Sequence, residues 1–589
     1  MTSPDAGRKG TRRRTILLVL AGLAVVLVAA AAWVGVRAVL LKAELESLVP
    51  LAADLQNAMA ARDVDRVSEL FGEVDAHAAT AAGLSGDPVW TAAEVVPCIG
   101  ANLAAARIVS VQLHSIAAAA APLVGTLQQT DSSAGAGFDI ELLSQLGGPV
   151  AETADALSAA RAAFAELDTR QLVPQLGSGV QRLAAAVDLG AASVEPIAPA
   201  VQALPWILGA HGERNILVML QNSAELRTGG GITGSFALLH ADDGAITLVD
   251  QADSGEFPGL TSPIRPLPAS TKALYGDRVA RFVQNTSMLS DFSSTAELAT
   301  AWWATRSDVV PDAVVSLDVP TIAALLAVSG PVQLPSGAEL TTDNLIQRML
   351  TDVYLSLDRE QQTAFQQELT ATLFSTVFSR HLDTLALVDS LTPSIEEGRI
   401  SMWSSDPDVE ALLSDSAFAG QRARQLAAGP GAFAVYLNDA TSGKMGTFLG
   451  VSLSAGRAQC RVDGMTDVVV TATLTNNAPS DAGGALPWWV TGGGIEGVPP
   501  GDIATNLSVA APAGAYFGGV SVGADRLQSA DIEDEGFPTS SAEVTLRPGE
   551  SKAVDFRFVV DLPEDVAPTI LHTPLAYSPT VDVVSPGCG

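Results

Sequence analysis

Residues 15–36, TILLVLAGLAVVLVAAAAWVGV, contain no charged side chain. As a helix they extend roughly 33 Å at about 1.5 Å per residue, enough to cross the hydrocarbon of a bilayer. A chain with such a segment is divided by it between two compartments, and the flanking charges say which is which. Arg8, Lys9, Arg12, Arg13 and Arg14 precede it, while only Arg37 and Lys42 follow closely. The positive-inside bias therefore predicts a cytoplasmic basic tail over 1–14, a single transmembrane anchor over 15–36 and an extracytoplasmic bulk. The competing reading, a cleaved signal peptide, fits less well because this apolar run is longer than a usual signal-peptide core.

The whole chain is long enough for several domains: 589 residues, 48% hydrophobic and 17% charged, without a long low-complexity tract. Its formal net charge of -32 argues against nucleic acid as a partner and disfavours anionic surfaces except at local basic sites. Basic residues inside a pocket would then carry particular weight. Cys460 and Cys588 fall in one C-terminal region and could form a disulfide in an oxidising compartment, and Cys98 reads as a small buried hydrophobe.

Residues 43–205 are Ala-rich and carry apolar side chains at helical steps, as at Leu176, Val180, Leu183 and Val187 or Val150, Ala154 and Leu157. GLSGDP at 83–88 and DSSAGAG at 131–137 read as breaks, which predicts a helical bundle or stalk. The composition changes at Pro205-Trp206. NILVML (215–220) reads as a buried strand, and residues 234–250 read as a hairpin turning at Asp242, Asp243 and Gly244. Further on, AVVSLD (313–318) and a segment near 398–414 alternate with helical stretches near 294–306, 341–357 and 360–380, which predicts an α/β domain over 206–446 with helices on both faces of a mixed sheet. Short β-rich runs such as VVVTATLTNN and KAVDFRFVVDL then predict an immunoglobulin-like β-sandwich over 447–589, with Trp488 and Trp489 as a surface platform or as core.

The chemistry concentrates in LQNSAELRTGGGITGS (220–235). Gly229, Gly231 and Gly234 satisfy G-x-G-x-x-G, but they lie between two strands rather than opening a helix directly after one, which argues against a dinucleotide site. Glycines let the backbone approach a ligand, and Arg227 supplies a forked positive donor, so the stretch reads as an anion site. Gln221 and Asn222 would orient the anion, Glu225 would position Arg227 or act as a base, and the backbone of Gly229, Gly230 and Gly231 would meet the ligand. The competing reading is that the glycines only turn the chain while Glu225 and Arg227 pair with each other. Arg348 and Arg359, on helical segments, are further basic candidates. The chain contains no HExxH, GxxxxGK[ST] or paired CxxC motif.

The core Gln221, Asn222, Ala224, Glu225, Leu226, Arg227, Gly229 and Gly230, with KMGTFLG behind it, resembles the bacterial family called domain of unknown function 4012, over roughly residues 200–589. The order of NILVMLQNSAELR, the hairpin, PDAVVSLDVPTIAALLAVSGPVQLP and DREQQTAFQQELTATLF is also similar to LytR-CpsA-Psr proteins, membrane-anchored transferases of lipid-pyrophosphate-linked glycopolymers. That resemblance implies a LytR-CpsA-Psr-like central domain, Arg227 and Arg359 as pyrophosphate-binding positions, Asp291 as a ligand to a divalent metal such as Mg2+, and a polyprenyl-linked glycopolymer or cell-wall polysaccharide as partner. The chain departs from that pattern where it reads GITGS and QADSGEFP in place of charged runs, so the resemblance implies either a diverged transferase or a non-catalytic relative. The alternative is a structural or adhesion protein of the envelope without a small-ligand site.

Overall fold

The computed structural model describes residues 7–61, 63–97, 99–128, 138–380, 382–563 and 566–584. The chain divides into two compact units, Met1–Ser132 with Ser144–Ala198, and Pro199–Gly589 with the short stretch Ser133–Leu143. The first unit is helical. Its opening helix, α1 (Gly7–Ala60), runs unbroken past residue 43, where a separate bundle was expected to begin. Among the described residues three stretches are long and apolar enough to cross a membrane: Leu17–Met59, Gly100–Thr126 and Pro174–Ile207. Leu17–Met59 is the most apolar, with mean hydropathy 2.8, and almost none of it is buried against protein. The others contribute to a core that contains Val109, Leu157, Phe164, Val180 and Val187, with Leu176 and Leu183 packed against it. The break at GLSGDP is real: one helix ends at Ser85, and Asp87 caps the next by accepting from Val89 N at 2.8 Å. The break expected at 131–137 and Cys98 and Cys588 lie outside the described residues, as does the Cys460 side chain.

The second unit starts with a five-stranded mixed sheet. Strands β1 (Arg214–Asn222), β2 (Ile232–Asp242) and β3 (Ala245–Asp253) form an antiparallel meander. On the other side of β1, β4 (Ala313–Asp318) runs parallel and the 401–404 strand pairs antiparallel to β4. Successive residues of β1 serve opposite faces, as the pleat requires. Leu217 and Met219 join Phe236, Phe257, Trp302 and Trp303 in one core, whereas Leu220 packs against a second core with Val319, Ile322 and Tyr354. The Phe292–Trp303 helix covers the first face and helix Val319–Ser329 the second. Each begins at an aspartate, Asp291 accepting from Ser294 N and Asp318 from Thr321 N.

Among the described residues, apart from a two-stranded pair of Val332–Gln333 with Glu339–Leu340, the remaining strands form two sheets, one of six strands and one of five, that face a common core. Val468, Val470, Ala472 and Leu474 of the 466–476 strand meet Leu507 and Val509 of the 503–510 strand there. The strand Ala432–Asp439 belongs to the second of these sheets, paired with 503–510. The two-sheet part thus takes in residues from 432, ahead of the expected 447, and it lies with the mixed sheet in one compact unit.

Candidate functional site

β1 ends in Gln221 and Asn222, and the register of its pairing with β2 shifts between Leu220 and Gln221. Both amides are buried. The Gln221 amide orientation that satisfies both of its ends has the nitrogen donating to the carbonyls of Gly231 and, at 3.3 Å, Ile232, and the oxygen accepting from Ser316 Oγ at 3.1 Å. Asn222 donates to the Tyr354 hydroxyl and accepts from Ala224 N at 3.1 Å. The next residues alternate between two cores: Ala224 lies in the core beneath helix 319–329, while Leu226 inserts into the core between the two sheets of the sandwich. The backbone follows the same path, with Gly446 N donating to Ala224 O at 2.7 Å and Asp439 N to Leu226 O at 2.9 Å.

Arg227 is 6% exposed. Its Nε donates to Asn285 Oδ1 at 2.9 Å, Nη2 to Glu225 Oε1 at 3.0 Å, and Nη1 to Leu226 O at 2.7 Å and Asp439 O at 3.4 Å. Glu225 uses its other oxygen to bind Lys444 Nζ at 2.6 Å. Burial alone would push the Glu225 carboxyl up, but Lys444 and Arg227 outweigh it and hold the group below its ordinary value. Burial likewise works against the charged form of Lys444, and the Glu225 carboxylate overcomes it, so that ammonium titrates above its usual range. The result is a charged chain Arg227–Glu225–Lys444 inside the protein, where removal of one member strands the others.

Asp439 stands beside this chain. Burial first, then the negative charge of Glu225, push its carboxyl up to about 6, although Thr441 N and Oγ1 and Ser442 N all donate to it. A carboxyl whose folded pKa lies above its unfolded one contributes stability that is present below the unfolded value, 3.8, and is lost as pH rises through about 6. Glu225 has the opposite sign, and its contribution is lost only as pH falls through a depressed value. Lowering pH from 7 to 5 should therefore stabilise the wild type by about 1 kcal/mol more than Asp439→Asn. Urea midpoints of both proteins at the two pH values measure the difference, and parallel shifts would refute it.

The glycines serve the same closed arrangement. Gly229 N donates to Ser287 O and Gly230 N to Arg227 O, both at 2.8 Å, so these amides meet the protein's own carbonyls rather than an incoming anion. A Cβ on Gly231 would sit 2.3 Å from the Asn222 carbonyl carbon and oxygen, which explains glycine there by a crossing of backbones. The open anion cradle read from the sequence is thus closed in the structure. Buried loop amides must find partners wherever they can, and here they find them within the fold.

The other candidates lie apart from Arg227. Asp291 caps its helix and faces Arg422 at 3.5 Å. Among the described residues no group of three His, Cys, Asp or Glu could hold a metal ion, and a carboxylate already committed to a helix cap and an arginine does not fit an Mg2+ site. Arg348 is exposed at the start of a π-helical turn, Arg348–Asp352. Arg359 is exposed and stands 5.6 Å from the centroid of the Trp488 ring. The Gln221 side of the motif borders a cavity of ≈ 10 Å³, lined in part by Gly229, Ser287 and Ser316, which is about the space of one water.

Lys444, Asn285, Tyr354 and Asp439 complete the network and were not picked out as site residues. The one available signal was KMGTFLG, which contains Lys444.

No curated protein and no solved structure matches the chain. Residues 211–354, from the start of the mixed sheet to Tyr354, match the family described as Protein of unknown function (DUF4012), a narrower span than the 200–589 of the resemblance. That segment, which carries the whole Gln221–Gly231 motif, is the part of the chain that matches the DUF4012 family.

Proposed function

We propose that the chain is a membrane-anchored protein of the cell envelope, its N-terminus cytoplasmic and its bulk extracytoplasmic, in which the QNSAELR motif is a structural clasp and not the site of pyrophosphate transfer. The observation that carries this reading is the environment of Arg227: a buried guanidinium that makes four hydrogen bonds within the protein, to Glu225, Asn285, Leu226 and Asp439. What the motif grips is the strand Ala432–Asp439 of the protein's own sandwich. The anchor is the N-terminal helix, favoured by its apolar length and by the five basic residues before it. In this reading the mixed-sheet part is a relative of the LytR-CpsA-Psr fold without its charges, and the immunoglobulin-like sandwich works in contacts and not in catalysis.

Native mass spectrometry of the full chain in detergent, with a short polyprenyl pyrophosphate and Mg2+, tests this directly. The expected result is no more uptake of the pyrophosphate than of the corresponding polyprenyl alcohol. Saturable, Mg2+-dependent binding of the pyrophosphate, lost in Arg227→Gln, would overturn the proposal in favour of a diverged glycopolymer transferase.

A further inference from the structure

A second polar constellation adjoins the clasp at Tyr354 and runs along helix Arg359–Phe378, which packs on β3. Arg359, Gln366 and Thr370 recur at helical spacing and share one face of this helix. Gln366, Gln367 and Thr370 line a shallow recess with Ser235 of β2 and Gln251 and Asp253 of β3. Most of these groups are amides, hydroxyls or carboxylates. Gln251 Oε1 is buried without a partner, and Gln366 uses its nitrogen on the Tyr354 hydroxyl at 3.2 Å. Asp253 accepts from Gly255 N at 2.7 Å; burial pushes its carboxyl up, while the charges of Lys444 and Arg359 act against the shift. Arg359 is thus within electrostatic reach of the recess.

The other side of Arg359 meets Trp488, which is 50% exposed. Trp488 is held edge-to-face on Trp489 at 5.9 Å between ring centroids, and Trp489 is fixed by donating Nε1 to Tyr354 O at 2.9 Å. An indole half open to solvent is therefore presented on a rigid support, with a guanidinium over its ring and a row of amides and a carboxylate beyond.

A ligand matching this row needs a flat C–H surface for the indole and closely spaced hydroxyls for the planar amides, carboxylate and guanidinium. Saccharides have both. The recess has a volume of only ≈ 10 Å³, so it suits a chain lying along the surface rather than an enclosed molecule. A net charge of -32 opposes a polyanion. We infer that this strip binds a neutral saccharide chain, with Trp488 as the stacking platform and Arg359, Gln366, Gln251 and Asp253 meeting its hydroxyls. The inference goes beyond the clasp and does not depend on it.

The test is calorimetric titration of the full chain, in nanodiscs free of glycolipid, with neutral hexasaccharides of β-1,4-glucan, α-1,4-glucan, mannan and chitin, and with oligogalacturonate as an acidic comparison. At least one neutral hexasaccharide should bind saturably. Trp488→Ala and Gln366→Ala should each weaken it about tenfold or more, and Trp488→Phe should retain most of the affinity. Trp488 is half exposed, so an unchanged melting temperature should accompany the loss in Trp488→Ala. Absence of binding by every neutral hexasaccharide, binding confined to oligogalacturonate, or affinity unaffected by Trp488→Ala would each overturn the inference.

Discussion

Arg227→Ala should destabilise the Pro199–Gly589 unit by about 3–5 kcal/mol, the range for breaking a buried ion pair by removing one partner. The cost has identifiable parts. Glu225 keeps Lys444 but loses Arg227, and Asn285 Oδ1 and the carbonyls of Leu226 and Asp439 lose a charged donor at positions sealed from water. An exposed arginine serving only to hold a ligand would cost little on removal, since surface ion pairs contribute about 0–1 kcal/mol. Urea unfolding of the full chain in detergent, followed by tryptophan fluorescence, separates the two cases by several-fold in magnitude. A loss below about 1 kcal/mol would place Arg227 outside the clasp.

A comparable loss, again about 3–5 kcal/mol, is expected for Arg399→Met. Arg399 is 6% exposed and joins Asp318, 1% exposed, at 2.6 Å, while also donating to Leu575 O at 2.7 Å. It ties the end of β4 to the segment that follows the 569–572 strand. Burial opposes its charge, but Asp318 and Glu397 more than compensate and raise its pKa above the ordinary arginine value. Most of the penalty in Arg399→Met should come from leaving the Asp318 carboxylate buried with only Thr321 to donate to it. The double variant Arg399→Met with Asp318→Asn should therefore recover a large part of the stability lost in the single one. Equal losses in the single and double variants would refute this account of the pair.

The legible parts of the fold were those with local signals. NILVML and AVVSLD are compact apolar runs bounded by polar residues, and they occur as β1 and β4; the turn residues Asp243 and Gly244, both at positive φ, mark the β2–β3 hairpin. Runs with alternating apolar residues, such as 466–476, show the same alternation in their burial. AFAVYLND (432–439) has no such alternation because all but its last residue is buried, and a short apolar run of that kind does not declare which sheet it joins. That is why the sandwich was expected to start too late. The site was legible to the same extent. Glu225 and Arg227 are two residues apart, and their pairing stood as one of two readings of the motif. Lys444 reaches Glu225 from 219 positions away and Asn285 reaches Arg227 from 58, distances at which no local pattern exists. The choice between a ligand cradle and a clasp depended on those distant partners.

Amide hydrogen exchange of the full chain, wild type against Arg227→Ala under native conditions, most directly tests whether the motif fastens the mixed sheet to the sandwich. The clasp predicts that protection falls in two places at once, in residues 223–232 and in the 432–439 strand, because Asp439 and Asn438 bond directly to the motif. Loss confined to 223–232, with the 432–439 strand as protected as in the wild type, would contradict it.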